Sequence, residues 1–232
     1  PHFAGPEFEG KSKGGRIGDA IAELDHSVGR VLEALRSGGN DKDTLVVFVS
    51  DNGPWLWFEA LSGSAGVLRE GKKSTYEGGV RVPALFWQPG TIKPSVVHGI
   101  GSTYDLLPTF VAMAGAKLPV AELDGIDLSV TLTGGKDSPR HTMPYYLGGK
   151  LMAWRDGDWK LNVYEASSHF GGRNGKLPQP TLYHLGRDPG EKYDQAANEP
   201  AIVERLLRSA QDFEQSVAKA EPGFDRILKA SK

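Results

Sequence analysis

TLVVFVSDNGPW, residues 44–55, decides how the chain is built: a run of β-branched and aromatic residues stops abruptly at Asp51-Asn52-Gly53-Pro54, four turn formers in a row. A continuous apolar run of this kind suits a strand buried on both faces, as in a parallel sheet. Just upstream, RIGDAIAELDHSVGRVLEALRSGG places Ile17, Ile21, Leu24, Val28, Val31, Leu32 and Leu35 at three- and four-residue steps. That spacing predicts one apolar stripe on a helix of five or six turns, closed by Gly38-Gly39. A helix followed by a buried strand is an α/β pattern.

Working outward, residues 1–15 are rich in Gly and Pro and read as loop, and residues 52–79 form a long Gly-rich connection of the sort that carries function. RVPALFWQPG predicts a second strand ended by a Pro-Gly turn. STYDLLPTFVAMAG predicts a helix bent or restarted at Pro108 and closed by Gly115. The character then changes. PYYLGGKLMAWRDGDWKLNVY predicts two strands around the Asp156-Gly157 turn, and TLYHL a third. NEPAIVERLLRSAQDFEQSVAKA predicts a closing helix with Ile202, Leu206, Ala210, Phe213 and Val217 on one face and Asn198 as its cap. The expected organisation is an α/β part over 1–115, a connecting segment over 116–144, and a small antiparallel sheet with a terminal helix over 145–232.

The totals narrow the function classes. A net charge of −2 over 232 residues gives no support to nucleic acid or an anionic membrane as main partner. No apolar run approaches the roughly 20 residues needed to span a bilayer. The absence of cysteine excludes disulfides, thiolate metal sites and cysteine nucleophiles within these residues. Pro1 stands where an initiator Met would, and the chain reads as part of something longer.

Asp51 and Asn52 admit two readings. They make a good turn, or they offer adjacent hard oxygen donors beyond a strand's carboxyl end, suited to Ca2+ or Mg2+. Two donors fall short of the six to eight that Ca2+ takes. Gly66-x-x-x-x-Gly71-Lys72 imitates a phosphate-binding loop, but Lys73 stands where Ser or Thr must hold Mg2+, and no buried strand leads directly into it. What survives is Lys72 in a Gly-rich loop, either solvated or facing an anion as a point charge. The six histidines show no metal-binding spacing, His26 reads as a surface or boundary residue of the helix, and no Gly-x-Ser-x-Gly elbow exists.

FEGKS, the helix at 17–35, TLVVFVSDNGP, GKKSTYEGGVRVPALFWQPG, STYDLLPTFVAMAG, LDGIDL, AWRDGDWKL and LYHLGRDPGEKYD follow one another in an order that resembles the sulfatase family, arylsulfatase type, of the alkaline phosphatase superfamily. The resemblance covers nearly the whole chain and implies a partial alkaline-phosphatase-like sheet with flanking helices. It implies that Asp51 and Asn52 contribute two ligands to a Ca2+ site (Mg2+ in some members) and that Lys72 touches the sulfate. It also implies that Glu77, Gly78, Gly79 and Arg81 form a structural turn; we read Glu77 and Arg81 as a supporting ion pair.

The family's nucleophile is formylglycine, made from a Cys/Ser-x-Pro-x-Arg motif that this sequence lacks; SPRH at 138–141 has the wrong spacing. By resemblance the nucleophile, the remaining metal ligands and a lysine-histidine pair belong to an N-terminal half. The histidine that protonates the leaving oxygen aligns just before residue 1, with His2 itself the alternative. The resemblance thus implies the C-terminal part of an enzyme hydrolysing aryl or carbohydrate sulfate monoesters, inactive by itself. Its partners would be a sulfate ester and either the N-terminal half or a second copy joined through the exposed sheet. The family's compartments are periplasmic, secreted or lysosomal-type. A phosphodiesterase or phosphonate hydrolase of the same superfamily, and a non-catalytic module or pseudoenzyme binding anionic glycans, are the rival readings.

Overall fold

The computed structural model describes residues 2–57, 62–118, 123–169 and 172–217. Helix α1 runs Gly15–Ser37, and its C-terminus closes as the glycines predict. The amide of Asn40 reaches back to the carbonyl of Leu35 at 2.9 Å and that of Gly39 to Arg36 at 3.0 Å, a Schellman closure with Gly39 at φ 69°. The apolar stripe is present but much of it faces outward: Ile21 is 59% exposed and Val31 56%.

Strand β1 (Val46–Val49) pairs with β2 (Ala84–Trp87) antiparallel, Val46 opposite Trp87 and Val49 opposite Ala84. Every residue of β1 is only partly buried, so the expectation of a parallel strand covered on both faces is corrected. An unbroken apolar run does not specify the direction of its neighbour, because both ladders accept it. Between these strands lies the short helix α2 (Glu77–Val80). One turn of 3-10 helix (Thr103–Asp105) then leads into α3 (Leu106–Met113), so the chain restarts before Pro108. Asp105 is the anchor here. Its carboxylate accepts the amides of Ser102 and Ile126, each at 2.8 Å, and binds the Arg140 guanidinium through two nitrogens. That buried pair ties the connecting segment, including α4 (Ser129–Leu132), to α3.

The C-terminal sheet has order β3-β4-β5-β6, all antiparallel: Thr142–Leu147, Lys150–Asp156, Trp159–Ala166 and Asn174–His184. The Asp156-Gly157 hairpin forms as expected between β4 and β5. β3 is an additional strand, turned at Gly148-Gly149, where both residues have positive φ. β6 is longer than TLYHL; its register against β5 jumps between Asn162 and Tyr164, where Pro178 and Pro180 cannot donate to the ladder. Helix α5 (Pro200–Ser216) lays Leu206 and Ala210 on Leu151, Trp154, Leu161 and Leu182, with Ile202 and Phe213 flanking. Asn198 is not its cap. The cap position is Glu199, without a side-chain bond, while Asn198 donates to Gln195 and Pro200 opens the helix.

Candidate functional site

The turn after β1 and the loop before α2 are held together backbone to backbone. The amide of Gly53 donates to the carbonyl of Gly79 at 2.9 Å, and the amide of Lys72 to that of Pro54 at 2.8 Å. This approach needs glycine: a Cβ at Gly53 would stand 1.8 Å from the Gly78 carbonyl oxygen. The sequence DNGP thus ends the strand in a turn whose third residue lets Asp51-Asn52 lie against the segment carrying Lys72. Ser50 closes the turn by donating its hydroxyl to the Asn52 carbonyl at 3.0 Å.

Asp51 is exposed and Asn52 half-buried; among the described residues neither side chain is engaged in a hydrogen bond or ion pair. Lys72 is half-buried and has no ion-pair partner there. Its neighbours differ. Lys73 stands 4.3 Å from the centre of the Trp57 ring, and Lys160 is wholly buried between two carboxylates. Lys72 is therefore the lysine of this loop with neither an ion-pair partner nor a ring partner among the described residues. Asp51 and Asn52 present hard oxygens, and among the described residues no group of three or more His, Asp or Glu could hold a metal. The pair fits one side of a hard dication's shell and not the whole of it. His2 is exposed on the N-terminal loop, and the structure gives it no contact with Lys72, Asp51 or Asn52. An open depression of about 670 Å3 between Gly66–Arg69 and Gly190–Lys192 includes none of these residues, so converging loops, not a closed cavity, define the site.

A few residues after Lys72 the chain enters a buried charge centre that sequence reasoning missed. Glu77 does not pair with Arg81, which is exposed; its partners are Lys160 at 3.0 Å and Arg155 at 3.8 Å. Lys160 also meets Glu191 at 3.0 Å and donates to the Thr75 carbonyl at 2.8 Å. Glu191 accepts the amide of Glu77 at 2.6 Å, and Tyr145 donates its hydroxyl to Glu77 at 3.0 Å. Burial pushes the Glu77 carboxyl up, but Lys160 and Arg155 outweigh it and hold it below the usual range. For Glu191 burial prevails over Lys160 and the carboxyl is pushed up. Beside them the Arg69 guanidinium lies 3.9 Å from the centre of the Tyr76 ring and donates to the Glu191 carbonyl at 3.0 Å. Burial, with Arg69 opposing it, pushes the Tyr76 hydroxyl up to about 12. Partners 83 and 114 residues apart leave no periodic trace in a sequence.

On the other flank, Glu70 accepts the amide of Ser168 at 2.8 Å and faces His169 Nδ1 at 3.1 Å. Burial raises the Glu70 carboxyl; the bonds from Ser168 and the charge of His169 overcome it and hold the group low. Glu70 and Lys73 both have positive φ, 62° and 76°, a strained backbone on either side of Lys72.

The family model described as Sulfatase matches residues 4–116, and that of the C-terminal region of aryl-sulfatase matches residues 138–231. Arylsulfatase A of Bos taurus is 38% identical over 230 residues, spanning 92% of this chain and 45% of that protein. N-acetylgalactosamine-6-sulfatase of Mus musculus is 35% identical over 252 residues, spanning 98% of this chain and 48% of that protein. The PsFucS1 sulfatase structure from Pseudoalteromonas sp. superposes with a TM-score of 0.83 at 25% identity, over 92% of this chain and 45% of that one. A structure described with glycosaminoglycan metabolism in Bacteroides thetaiotaomicron gives 0.78 at 30% identity, over 90% and 47%. The chain spans about half the length of the curated relatives it matches.

Proposed function

The chain belongs to the sulfatase family, and from that premise we propose that it forms one side of a site hydrolysing a sulfate monoester. The observation that carries this reading is the clamp between Gly53 and Gly79 and between Lys72 and Pro54, which sets a lysine without an ion-pair partner among the described residues beside two hard oxygen donors.

In this reading Asp51 and Asn52 hold a divalent cation, Ca2+ or Mg2+, from one side. When bound, that cation polarises the sulfate oxygens and orients the ester for attack. Lys72 places its ammonium against a sulfate oxygen, where negative charge grows as the ester bond breaks. The strained, clamped backbone keeps that ammonium in place, so little reorganisation accompanies the reaction. The nucleophile, a formylglycine, and the remaining donors come from polypeptide outside the 232 residues. The exposed stripe of α1 and the β1–β2 edge are the faces on which that polypeptide packs. His2 is the alternative for the acid that protonates the leaving oxygen. A periplasmic, secreted or lysosomal-type compartment accords with the reading.

The test is kinetic, in the enzyme carrying this chain, with an aryl sulfate and the matching aryl phosphonate compared. Sulfate ester turnover is expected to prevail, with Lys72→Ala lowering kcat/KM for the sulfate by roughly a hundredfold or more. Preference for the phosphonate, or indifference to Lys72→Ala, would overturn the assignment. The 232-residue chain assayed alone is expected to show no turnover.

A further inference from the structure

Lys72 shares its loop with two other charges, Glu70 two residues before it and Lys73 directly after it. In an open loop a carboxylate this close is the readiest partner for an ammonium, and a lysine so paired has less charge to offer a ligand. Glu70 is engaged elsewhere. From a left-handed backbone, φ 62°, its carboxylate crosses to the connection between β5 and β6. One of its oxygens accepts the Ser168 amide at 2.8 Å and the Ser168 hydroxyl, and faces His169 Nδ1 at 3.1 Å.

Ser168 is the common point of these contacts. It is buried, and all of its polar groups are in use. Its N–H and hydroxyl donate to Glu70, and its carbonyl accepts the Trp57 indole N–H. Trp57 in turn carries the Lys73 ammonium 4.3 Å from its ring centre. A single residue of the C-terminal sheet, 98 positions beyond Glu70, thus secures the charges on both sides of Lys72, one directly and one through an indole. A left-handed backbone at a Glu and at a Lys persists where surrounding contacts over-determine it, and Ser168 supplies such contacts on either side.

We propose that Ser168 and Glu70 are a positioning pair for Lys72: Ser168 takes up the carboxylate that would otherwise neutralise the lysine, and so leaves its charge for the anion. The proposal rests on the sulfate-ester reading above. It gives the C-terminal sheet a part in the reaction without contact to the ester. His169 is the outer member of the arrangement, its side chain 60% exposed, whereas Ser168 makes two bonds to Glu70 from a buried position. The Glu70 carboxyl is held low and is an anion at neutral pH, so it competes for Lys72 once its donors are removed. A loop anchor without that role makes each lost contact a further loss. A carboxylate kept off a lysine behaves otherwise: deleting it restores what deleting its donors takes away.

The experiment uses the enzyme carrying this chain and a small chromogenic aryl sulfate. It compares Ser168→Ala with His169→Ala against the same two changes plus Glu70→Gln. Without the hydroxyl and the imidazole, Glu70 is expected to pair with Lys72 and lower kcat/KM about fivefold, and adding Glu70→Gln to restore most of it. In a Lys72→Ala background the same two changes are expected to lower kcat/KM no further. An unchanged kcat/KM in the first variant, a further fall on adding Glu70→Gln, or the same loss persisting without Lys72 overturns the proposal. Where thermal unfolding shows the doubly changed enzyme to be misfolded, Ser168→Ala alone carries the same expectations at smaller amplitude. A second readout needs no turnover: the rate at which acetic anhydride acetylates Lys72 in the native enzyme, followed by peptide mass mapping. That rate should fall in the first variant and recover with Glu70→Gln; equal rates in parent and variants overturn the pair. If the parent turns over no sulfate ester, the reaction reading fails, and the acetylation rates decide the positioning pair separately.

Discussion

Lys160 has more riding on it than any other side chain outside the reacting groups. An ammonium with no exposed surface is tolerated because Glu77, Glu191 and the Thr75 carbonyl surround it. Lys160→Met keeps the volume and strands two buried carboxylates, so a loss of about 3–5 kcal/mol is expected in urea unfolding. Adding Glu77→Gln and Glu191→Gln to that variant should recover part of the loss; no recovery would refute the charge-based account. Glu70 gives a pH signature. Its folded carboxyl lies below the ordinary 4.5, so the stability it contributes is present above 4.5 and fades as pH falls through the depressed folded value. The stability gap between the parent and Glu70→Gln is therefore expected to be largest at neutral pH and to close on acidification, as followed by thermal unfolding across pH. Of the candidate site residues, Asp51, Asn52 and Lys72 are picked out by compact local motifs, and the structure brings their two backbone segments together. The true partners of Glu77 were not legible in this way, since Arg81 is four residues away and Lys160 is eighty-three. Nearness in sequence favoured the wrong cation.

Among the elements, the decisive junction is the turn after β1 against the loop before α2. Gly53→Ala would drive a methyl into the Gly78 carbonyl, and the two segments must part. A destabilisation of about 1–3 kcal/mol is expected, with a loss of sulfate ester turnover larger than that destabilisation accounts for. Normal turnover in Gly53→Ala would show that the clamp does not position Lys72. Elements with a strong local signal were read correctly from residue order: the period of α1, the Asp156-Gly157 hairpin, and the apolar face of α5 that meets Leu151 and Leu182. β1 was read as a strand but given the wrong neighbour, because Val46–Val49 satisfies either ladder equally well. β3 was passed over because Gly148-Gly149 reads as a loop as readily as a hairpin turn.

At the scale of the whole molecule, apolar surface is unevenly distributed. The C-terminal sheet buries its hydrophobic face under α5, whereas Ile21, Leu24 and Val31 of α1 and Leu85 of β2 stand 50–59% exposed. Such a stripe leads to self-association unless other polypeptide covers it. The isolated chain is expected to associate in a concentration-dependent way in sedimentation velocity, and Leu24→Glu with Val31→Glu to shift it toward monomer. A monodisperse monomer at high concentration would contradict this. The buried charge centre has a further bearing on inherited or engineered damage. Glu77 stands five residues after Lys72, while Lys160 and Glu191 are encoded far downstream. A premature stop after residue 150 would spare every side chain assigned to the chemistry. Yet it would leave an acid under the floor of the site with its counter-ion deleted, so late truncations should be as silencing as lesions at the lysine itself.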